Sequence, residues 1–541
     1  GYLAATASRP VSSPTFRPLT FRRGYVGSAR FMPDGETVVY GARWDGAPVQ
    51  AFSTRLGSPE STALSLPSAD VLSVSRSGEL LVSLGRHFIE WFITSGRLAR
   101  APLSGGAPRE LMEDVEEASW TPDGQRLLVV RYVGGKSRIE LGSGNVLYET
   151  AGWVSHARLS PRGDLVAFLE HPLRGGDNGS LAVIAASGKG AKRALTGLWT
   201  SVQGLAWSHD GSEIWFTGAE TGWHSALYGV TPAGRSRLVL RIPGRLNLQD
   251  IDARGRVLLT NEHVRVGAVY GSVETGEERD VSWLESSFAV SLTPDGRKIL
   301  INEQGEGAGQ RYGVYIRDAD GSPAVRLGDG LVGAFSPDGR FVATITMDEP
   351  PRLAVLPTGA GEARTLPAIG VNYWSIGWFP DGRRLVSAGP EPDHGSRLYV
   401  QDLTAGPPRS FTGEGFGSIV YVAVSPDGKW AAAAGPGRMP FLCPIEGGRP
   451  VPLSGLQPGD GPLRFSPDGR WLYLARAGET SSQIVRFDVE AQVAEVRREL
   501  RPRDPYGVLV TAPTDITPDG RHYVYTYLRE LSDLFLVEGL R

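Results

Sequence analysis

Histidine side chains beside carboxylates are the residues of this chain best suited to acid–base or metal chemistry. Four of the eight histidines stand in polar segments between apolar runs, namely His171, His224, His263 and His394. Imidazole can transfer protons and bind metals, but a zinc site needs about three ligands that converge. Because these histidines are spread along the chain, only those from neighbouring elements could meet. The sequence therefore predicts no metal site and no other cofactor.

The linear signatures of common catalytic sites are absent from the sequence. It contains no Gly-x-Ser-x-Gly elbow, no His-Glu-x-x-His and no Walker loop. Segment 305–309 resembles a phosphate loop, but it lies between two predicted strands instead of opening a helix. Segment 318–321 resembles the start of a calcium loop, but the later ligands are missing. We therefore expect no catalytic residues and no turnover.

Charge and composition exclude several classes of protein. The formal net charge is −3, so the basic excess expected of a nucleic-acid binder is missing. No apolar run is long enough to span a membrane, and no membrane-spanning segment is predicted. The single cysteine, Cys443, cannot form an internal disulfide, and its apolar neighbours predict a buried side chain.

A repeated turn motif organises the chain. The 70 glycines and 39 prolines indicate many short elements. Many of these glycines and prolines belong to a repeated five-residue pattern, which is an apolar residue, then Ser or Thr, then Pro, Asp and Gly. Eight clear copies centre on Asp34, Asp123, Asp295, Asp338, Asp381, Asp427, Asp468 and Asp519, and four degenerate copies centre on positions 77, 162, 210 and 254. The mean spacing of the twelve copies is about 44 residues.

The motif has a direct physical interpretation as a tight turn between two strands. Pro fixes one backbone angle, Asp accepts hydrogen bonds within the turn, and Gly adopts the left-handed conformation. Apolar alternation leads into and out of each copy, and two further short runs follow within the repeat. Four antiparallel strands in about 44 residues are the content of one β-propeller blade. We therefore predict an all-β protein of tandem β-propellers.

The repeat resembles that of the bacterial TolB-like propeller family, whose WD40-like repeats carry a Ser-Pro-Asp-Gly turn. The resemblance runs from about Phe16 to Leu540. More narrowly, the chain is similar to propeller regions that follow membrane-anchored bacterial Ser/Thr protein kinases, although it lacks the kinase motifs themselves. This resemblance implies a sensor or interaction region of a bacterial signalling protein. It favours an extracytoplasmic, periplasmic location, with the cytoplasm as the alternative.

Twelve blades exceed the four to eight of a single ring. We predict two six-bladed rings over residues 16–276 and 277–541, preceded by a linker over residues 1–15, with five plus seven blades as the alternative. Segment Arg17–Phe21 is predicted to complete the sixth blade, and segment Glu278–Val281 the twelfth. In this topology, which is favoured because connections are usually short, the chain would cross between the rings once. The alternative is that Arg17–Phe21 reaches blade twelve directly and locks the two rings together.

The candidate binding residues lie on one predicted face, formed by the loops between second and third strands and between blades. Aromatic rings beside charged groups suit recognition of a protein, peptide or carbohydrate. The candidates are Trp153, His156, His171, Arg174, Trp199, Trp223, His224, His263, Glu303, Tyr373, Trp374, His394 and Phe416. The favoured hypothesis is a non-catalytic ligand- or protein-binding module. A propeller lyase or hydrolase with a site at the channel mouth and a TolB-like envelope scaffold are the alternatives.

Overall fold

The repeated motif forms the turn between the first and second strands, as its residue types require. In the copy at residues 466–469, Ser466 Oγ donates to Asp468 Oδ1 (2.5 Å), which also accepts the backbone N–H of Arg470 (3.1 Å). Gly469 has a φ of +73°, and its N–H donates to the Ser466 carbonyl (2.9 Å). A side chain at Gly469 would strain this left-handed backbone. The turn thus fixes the hairpin locally.

The computed structural model describes residues 13–540 except 91, 135, 143, 173, 310, 349, 393, 405, 419 and 420. Most of the predicted linker, residues 1–12, lies outside this range. Over the described residues the chain is all-β, with two short 3-10 turns at Glu306–Ala308 and Pro436–Arg438 and no α-helix. None of the described helices has the length and apolar character needed to cross a membrane.

The chain divides into two compact units, Gly1–Val264 with Glu530–Arg541, and Arg265–Arg529. This division differs from the predicted contiguous ranges 16–276 and 277–541. The reason is that two long strands continue across the boundaries, β22 (Val257–Ser272) and β45 (His522–Glu538). Residues 257–272 contain no proline and no turn motif, so nothing ends the extended backbone there.

The first unit contains six blades within the described residues, each with its strands in antiparallel order. Blade one consists of β2 (Gly24–Phe31), β3 (Thr37–Trp44), β4 (Gln50–Arg55) and β5 (Ser61–Ala63). Blade two consists of β6 (Ala69–Val74), β7 (Glu79–Glu90), β8 (Ile93–Pro102) and the start of β9 (Arg109–Trp120). Blade three consists of the end of β9, β10 (Leu127–Val133), β11 (Lys136–Leu141) and β12 (Val146–Thr150). Blade four consists of β13 (Trp153–Leu159), β14 (Leu165–His171), β15 (Ser180–Ala185) and β16 (Arg193–Ala194). Blade five consists of β17 (Ser201–Trp207), β18 (Ile214–Ala219), β19 (Ala226–Val230) and β20 (Ser236–Leu240). Blade six consists of β21 (Arg245–Ile251), the start of β22, the end of β45 and β1 (Thr15–Pro18).

The second unit likewise shows six blades over its described residues. Blade seven consists of β24 (Ser287–Leu292), β25 (Lys298–Glu303), β26 (Gly313–Asp318) and β27 (Val325–Gly328). Blade eight consists of β28 (Leu331–Phe335), β29 (Phe341–Ile345), β30 (Leu353–Pro357) and β31 (Arg364–Thr365). Blade nine consists of β32 (Ser375–Trp378), β33 (Arg384–Pro390), β34 (Ser396–Asp402) and β35 (Arg409–Ser410). Blade ten consists of β36 (Val422–Val424), β37 (Trp430–Ala434), β38 (Pro440–Pro444) and β39 (Val451–Pro452). Blade eleven consists of β40 (Gly461–Phe465), β41 (Trp471–Arg476), β42 (Ser482–Asp488) and β43 (Val493–Leu500). Blade twelve consists of β44 (Val508–Ile516), the start of β45, the end of β22 and β23 (Glu278–Asp280).

Each unit closes on itself. In the first unit the first strands of successive blades contact one another in the order β2, β6, β9, β13, β17, β21, and β21 contacts β2. In the second unit the order is β24, β28, β32, β36, β40, β44, and β44 contacts β24. The all-β fold of four-stranded β-propeller blades predicted from the repeat is confirmed.

The closing blades use strands from distant parts of the chain. Strand β1 pairs with the end of β45, from Thr15 opposite Glu538 to Pro18 opposite Phe535, and β23 pairs with the end of β22. The N-terminal segment thus completes blade six, and the segment near residue 280 completes blade twelve, as predicted. The prediction of a single crossing is wrong, because the third strands are exchanged. The chain passes between the units in β22 and returns in β45.

Apolar side chains pack between successive blades in both units. In the first unit Leu181 and Val183 of blade four pack with Trp207 and Phe216 of blade five. In the second unit Cys443 is fully buried among the side chains of blades nine and ten, and burial raises the pKa of its thiol to about 12. The predicted burial of this cysteine is confirmed.

Candidate functional site

The channel of the first unit is lined by charged side chains from opposite blades. A β-bulge interrupts the first strand of blades one and four, and His156 adopts a φ of +55° at the second of these. Arg30 of blade one and Arg158 of blade four lie close enough to interact electrostatically. Burial, with Arg158 adding to it, lowers the pKa of the Arg30 guanidinium to about 10. Burial of a charged group reduces the stability of a folded protein, so clusters of buried charges are candidate functional sites.

In the second unit, the polar side chains of the first strands are paired with other groups of the protein. The Tyr421 hydroxyl, at the start of blade ten, donates to the Pro513 carbonyl of blade twelve (2.8 Å). Arg464 of blade eleven pairs with Asp515 of blade twelve, with Nη2 2.5 Å from Oδ2. Burial raises the pKa of the Tyr421 hydroxyl. These groups of the second unit pair with one another, and we therefore take the first unit as the better candidate for a ligand site.

Three blades converge on Arg245, the first residue of β21. Its side chain is only 6% exposed, and its Nε lies 3.5 Å from Glu262 Oε2. Its guanidinium carbon lies 5.8 Å from the ring centroid of Phe92 in blade two and 5.8 Å from that of Trp223 in blade five. Two aromatic rings and a carboxylate thus hold one cation. We call Arg245, Glu262, Phe92 and Trp223 the Arg245 clamp.

Phe92 reaches the clamp because the β7–β8 hairpin is unusually long. The strands have 12 and 10 residues, and the part beyond Gly85 and Gly96 extends past the blade. Gly85 has a φ of +59°, and the register shifts between Leu84 and His87. Within the extension, Phe88 lies 5.8 Å from the guanidinium of Arg43 in blade one. The hairpin of blade two therefore reaches residues of blades one and six at the end of the channel.

Three carboxyl groups share the charge of Arg245. Asn247 Nδ2 and Thr260 Oγ1 donate to Glu262 Oε1 (2.9 and 3.1 Å). Burial raises the pKa of Glu262, and Arg245 only partly opposes it. Burial and the neighbouring Glu262 raise the pKa of Glu530 well above its usual range, and burial also raises the pKa of Asp177. The charge of Arg245 opposes this increase in all three groups.

Tyr25 borders the same cluster from blade one. Burial raises the pKa of its hydroxyl, and Glu530, Glu262 and Asp70 add to the increase. Asp70 is itself paired with Arg86, Nη1 to Oδ2 at 3.1 Å, and accepts a hydrogen bond from Ser28 Oγ (2.5 Å). The carboxylate of Asp70 thus has its own cation.

A second polar network connects two histidines through one serine. His171 is 1% exposed, stacks on Trp153 at 4.0 Å, and donates from Nδ1 to the Asn178 carbonyl (3.0 Å). Its Nε2 therefore accepts the hydroxyl of Ser155 (2.8 Å), whose Oγ in turn accepts His156 Nδ1 (3.0 Å). Burial lowers the pKa of His171 to about 3 and that of His156 to about 4. Both rings are neutral at neutral pH, and Ser155, 1% exposed, is closed to solvent.

We expect the first unit to lose stability as the pH falls below about 6.5, the usual pKa of histidine. His171 and His156 have lower pKa values in the folded chain, about 3 and 4, so the unfolded chain binds more protons in this range. Each histidine then lowers the free energy of unfolding by about 1.4 kcal/mol per pH unit. Thermal unfolding between pH 7 and 5 measures the slope. His171→Phe keeps a ring against Trp153 and should reduce the slope; an unchanged slope would contradict the assignment.

Several residues of the predicted binding set lie in the first unit. Arg174 Nη2 donates to Glu116 Oε1 (3.0 Å), and its guanidinium lies 3.6 Å from the ring centroid of Tyr132. His224 follows Trp223 in the β18–β19 loop, and Trp199 packs on Phe216 and Tyr228. His263 was expected on a loop, but it lies exposed within β22, because that strand continues past the blade.

The other predicted residues lie in the second unit: Glu303 in blade seven, Tyr373, Trp374 and His394 in or directly before blade nine, and Phe416 in the segment between blades nine and ten. Glu303 is fully buried and accepts the N–H of Leu284 (3.0 Å), and Tyr373 and Phe416 are core residues. His394 Nδ1 lies 3.0 Å from Glu414 Oε1 on the surface, and Trp374 precedes β32. The buried side chains of Trp153, His171, Glu303, Tyr373 and Phe416 offer little surface to a ligand. A binding role for the predicted set stays a prediction.

Sequence reasoning missed Arg245, Asp177, Glu530 and Tyr25 as members of a site. Arg245, Glu530 and Tyr25 stand in strands and Asp177 stands in the β14–β15 loop, and no copy of the turn motif marks any of them. The signal available was the segment from Gly85 to Gly96, which has two phenylalanines and a tryptophan between glycines in an otherwise regular repeat. Within the described part of the chain, no three His, Cys, Asp or Glu side chains are grouped closely enough to hold a metal ion.

Comparison with known proteins gives no match to a protein-family model or to a curated protein. Similar solved structures include one assigned as TolB from Agrobacterium tumefaciens, 19% identical over 49% of this chain and 98% of that one, with a TM-score of 0.37. They also include the tricorn protease, 15% identical over 93% of this chain and 57% of that one, TM-score 0.30. The GH74 xyloglucanase from Xanthomonas campestris is 14% identical over 92% and 87%, TM-score 0.31. At these identities and scores the similarities say nothing about ligand or activity. The chain is similar to TolB-like β-propeller proteins.

Proposed function

We propose that this protein is a non-catalytic binding module and that its first unit holds a protein or peptide ligand at the Arg245 clamp. The observation that carries the proposal is the convergence of Phe92, Trp223 and Glu262, from three blades, on one buried guanidinium. Desolvated charge beside aromatic rings is typical of the centre of a binding site. A sensor or interaction region of a signalling protein would use such a site.

The polar groups of the first channel support binding more than catalysis. A nucleophilic mechanism needs an accessible nucleophile with a base beside it. Ser155, the hydroxyl group between two histidines, is 1% exposed, and both imidazoles are used in its hydrogen bonds. Its network therefore serves to hold the strands of blade four in place.

We expect Arg245→Met to weaken ligand binding at least tenfold, because it removes the cation that the rings and Glu262 surround. The full-length protein is panned against a displayed library of random dodecapeptides, and the enriched peptides are measured by calorimetry on wild type, Arg245→Met and Phe92→Ala. Arg254→Met, an exposed arginine of the same blade, is the matched control. Unfolding midpoints are recorded for every variant.

Two results would contradict the proposal. One is equal affinity of the enriched peptides for wild type, both clamp variants and the control. The other is turnover of peptides, polyuronates or phosphate esters that is lost when Glu262 or His156 is replaced. The second result would favour the enzyme alternative.

A further inference from the structure

We propose that the second unit carries an interface for a second copy of this chain, formed by the outer side of strand β43, which pairs antiparallel with β43 of that copy. This strand, Val493–Leu500, is the fourth strand of blade eleven. We call its outer side the β43 edge. The inference goes beyond the proposed function, because it concerns a surface of the second unit and does not depend on the Arg245 clamp.

The β43 edge is long for a fourth strand. It has eight residues, whereas the fourth strands of the other described blades in this unit have two to four. One side of β43 pairs with β42, from Asp488 opposite Val493 to Ser482 opposite Leu500. The sheet ends at β43, so no strand of the described residues pairs with its other side. The N–H and C=O groups of such an edge are a template for a further strand.

Two exposed valines give the edge an apolar surface that a paired strand would cover. Val493 is 61% exposed and Val496 is 51% exposed. Val496 lies opposite Val485, a buried residue of β42, so its side chain extends a row that begins in the core of the blade. Covering such side chains favours association, and β-branched residues suit a paired strand.

The charges of the edge are arranged symmetrically about Val496, with Glu495 before it and Arg497 after it. When two antiparallel copies pair with Val496 opposite Val496, Glu495 of each copy lies opposite Arg497 of the other. Opposite charges across two strands stabilise the pair, and like charges destabilise it. An edge with one sign of charge would repel its own copy, whereas this edge attracts it. The pairing uses the edge of both copies, so assembly stops at a dimer.

A β-bulge leaves Arg497 available for this contact. The register of the two strands shifts from Val485 opposite Val496 to Ile484 opposite Arg498, so Arg497 has no partner residue on β42. Its side chain is 40% exposed, and its Nη1 lies 3.4 Å from Glu495 Oε1 of the same chain. A guanidinium has five N–H donors, so Arg497 can bind this carboxylate and that of a second copy together.

Glu495 is already held in place for the contact. Arg486 Nη2 lies 2.6 Å from Glu495 Oε1, and the guanidinium of Arg486 lies 4.0 Å from the ring centroid of Trp471. Among the described residues both contacts of the Glu495 carboxylate are made by Oε1, so Oε2 can accept an N–H from Arg497 of the second copy. A side chain that is ordered before binding loses little entropy on binding.

Sedimentation velocity of the full chain over a series of concentrations tests whether it forms a dimer. One pair of strands is a small interface, so we expect a dissociation constant on the order of 1–100 μM. Hydrogen exchange below and above this range locates the contact. Amides of residues 493–500 should exchange more slowly in the dimer. Those of β27, the fourth strand of blade seven, should not change.

Reversal of either charge should weaken dimer formation roughly tenfold or more, because like charges then lie opposite each other twice. The variants are Glu495→Arg and Arg497→Glu. An equimolar mixture of the two should form a dimer again, since each position then lies opposite the other sign. This recovery also shows that both variants are folded, as their unfolding midpoints should. Arg326→Glu, which reverses an exposed, paired arginine of β27, is the matched control and should leave dimer formation unchanged.

Four results would overturn the inference. The first is a chain that stays monomeric at about 1 mM, far above the expected dissociation constant. The second is a dimer that both single variants still form. The third is a mixture of the two variants that stays monomeric. The fourth is a monomer whose residues 493–500 become protected when Ac-Glu-Val-Glu-Val-Glu-Val-NH2 is added, which would assign the edge to an acidic peptide. None of these results bears on the Arg245 clamp, which is tested by peptide affinity.

Discussion

Removal of residues 530–541 will unfold the first unit and leave the second unit folded. The deleted segment supplies a strand to blade six, and its Leu534, Leu536 and Val537 are at most 1% exposed. Three buried aliphatic side chains contribute roughly 1.5–3 kcal/mol each. The segment also accepts the N–H of Leu19 at the Leu534 carbonyl (2.8 Å). The total loss is comparable with the whole stability of a domain, about 5–15 kcal/mol.

Hydrogen exchange on the truncated chain measures this effect unit by unit. Protection should be lost over residues 13–264 and kept over residues 265–529. Deletion of residues 1–18 is the matched control, because it removes β1, whose side chains are all exposed, from the same blade. That control should lose much less protection. A first unit that stays protected without residues 530–541 would show that the end of β45 is dispensable.

Replacement of Asp515 by alanine should destabilise the second unit by about 3–5 kcal/mol, the cost of leaving a buried charge without its partner. Asp515 lies on β44, where the last blade meets the first. Its Oδ2 accepts the N–H of Leu292 (2.8 Å), the hydroxyl of Ser291 (3.0 Å) and a guanidinium N–H of Arg464 (2.5 Å). Alanine leaves all three donors without this acceptor.

The corresponding carboxylate of the first unit provides the comparison. Asp250 on β21 accepts the N–H of Phe31 at 2.9 Å. The guanidinium of Arg30, in contrast, donates to the carbonyls of Leu72 and Gln249 (3.0 and 2.9 Å). Asp250→Ala should therefore cost less, about 1–3 kcal/mol. Urea unfolding of both variants checks the order. An Asp250→Ala loss equal to or larger than the Asp515→Ala loss would contradict it.

The blade and its turn were predictable from sequence because their interactions are local. Ser466, Asp468 and Gly469 form their hydrogen bonds within five residues, so the pattern repeats wherever those residue types repeat. Closure of each ring depends instead on which distant strand takes the third position in its last blade. Nothing in the composition of residues 257–272 distinguishes a strand that ends at one blade from one that continues into another.

The candidate site was only partly predictable for the same reason. Trp223 and Arg174 were found because they stand in loops that the repeat places on one face. Arg245 and Glu262 meet by pairing of β21 with β22, and Phe92 joins them from a hairpin about 150 residues earlier. A contact between three blades leaves no spacing pattern in the chain.

The exchanged strands β22 and β45 also set the order in which the protein can be completed during synthesis. Residues 265–529 are continuous, so the second unit has all of its strands once residue 529 has left the ribosome. The first unit is synthesised earlier but lacks a strand of blade six until residues 530–538 emerge. At roughly 5–20 residues per second, blade six stays open for some tens of seconds. During that time the edge of β22 exposes unpaired backbone groups, which are a template for pairing with other chains.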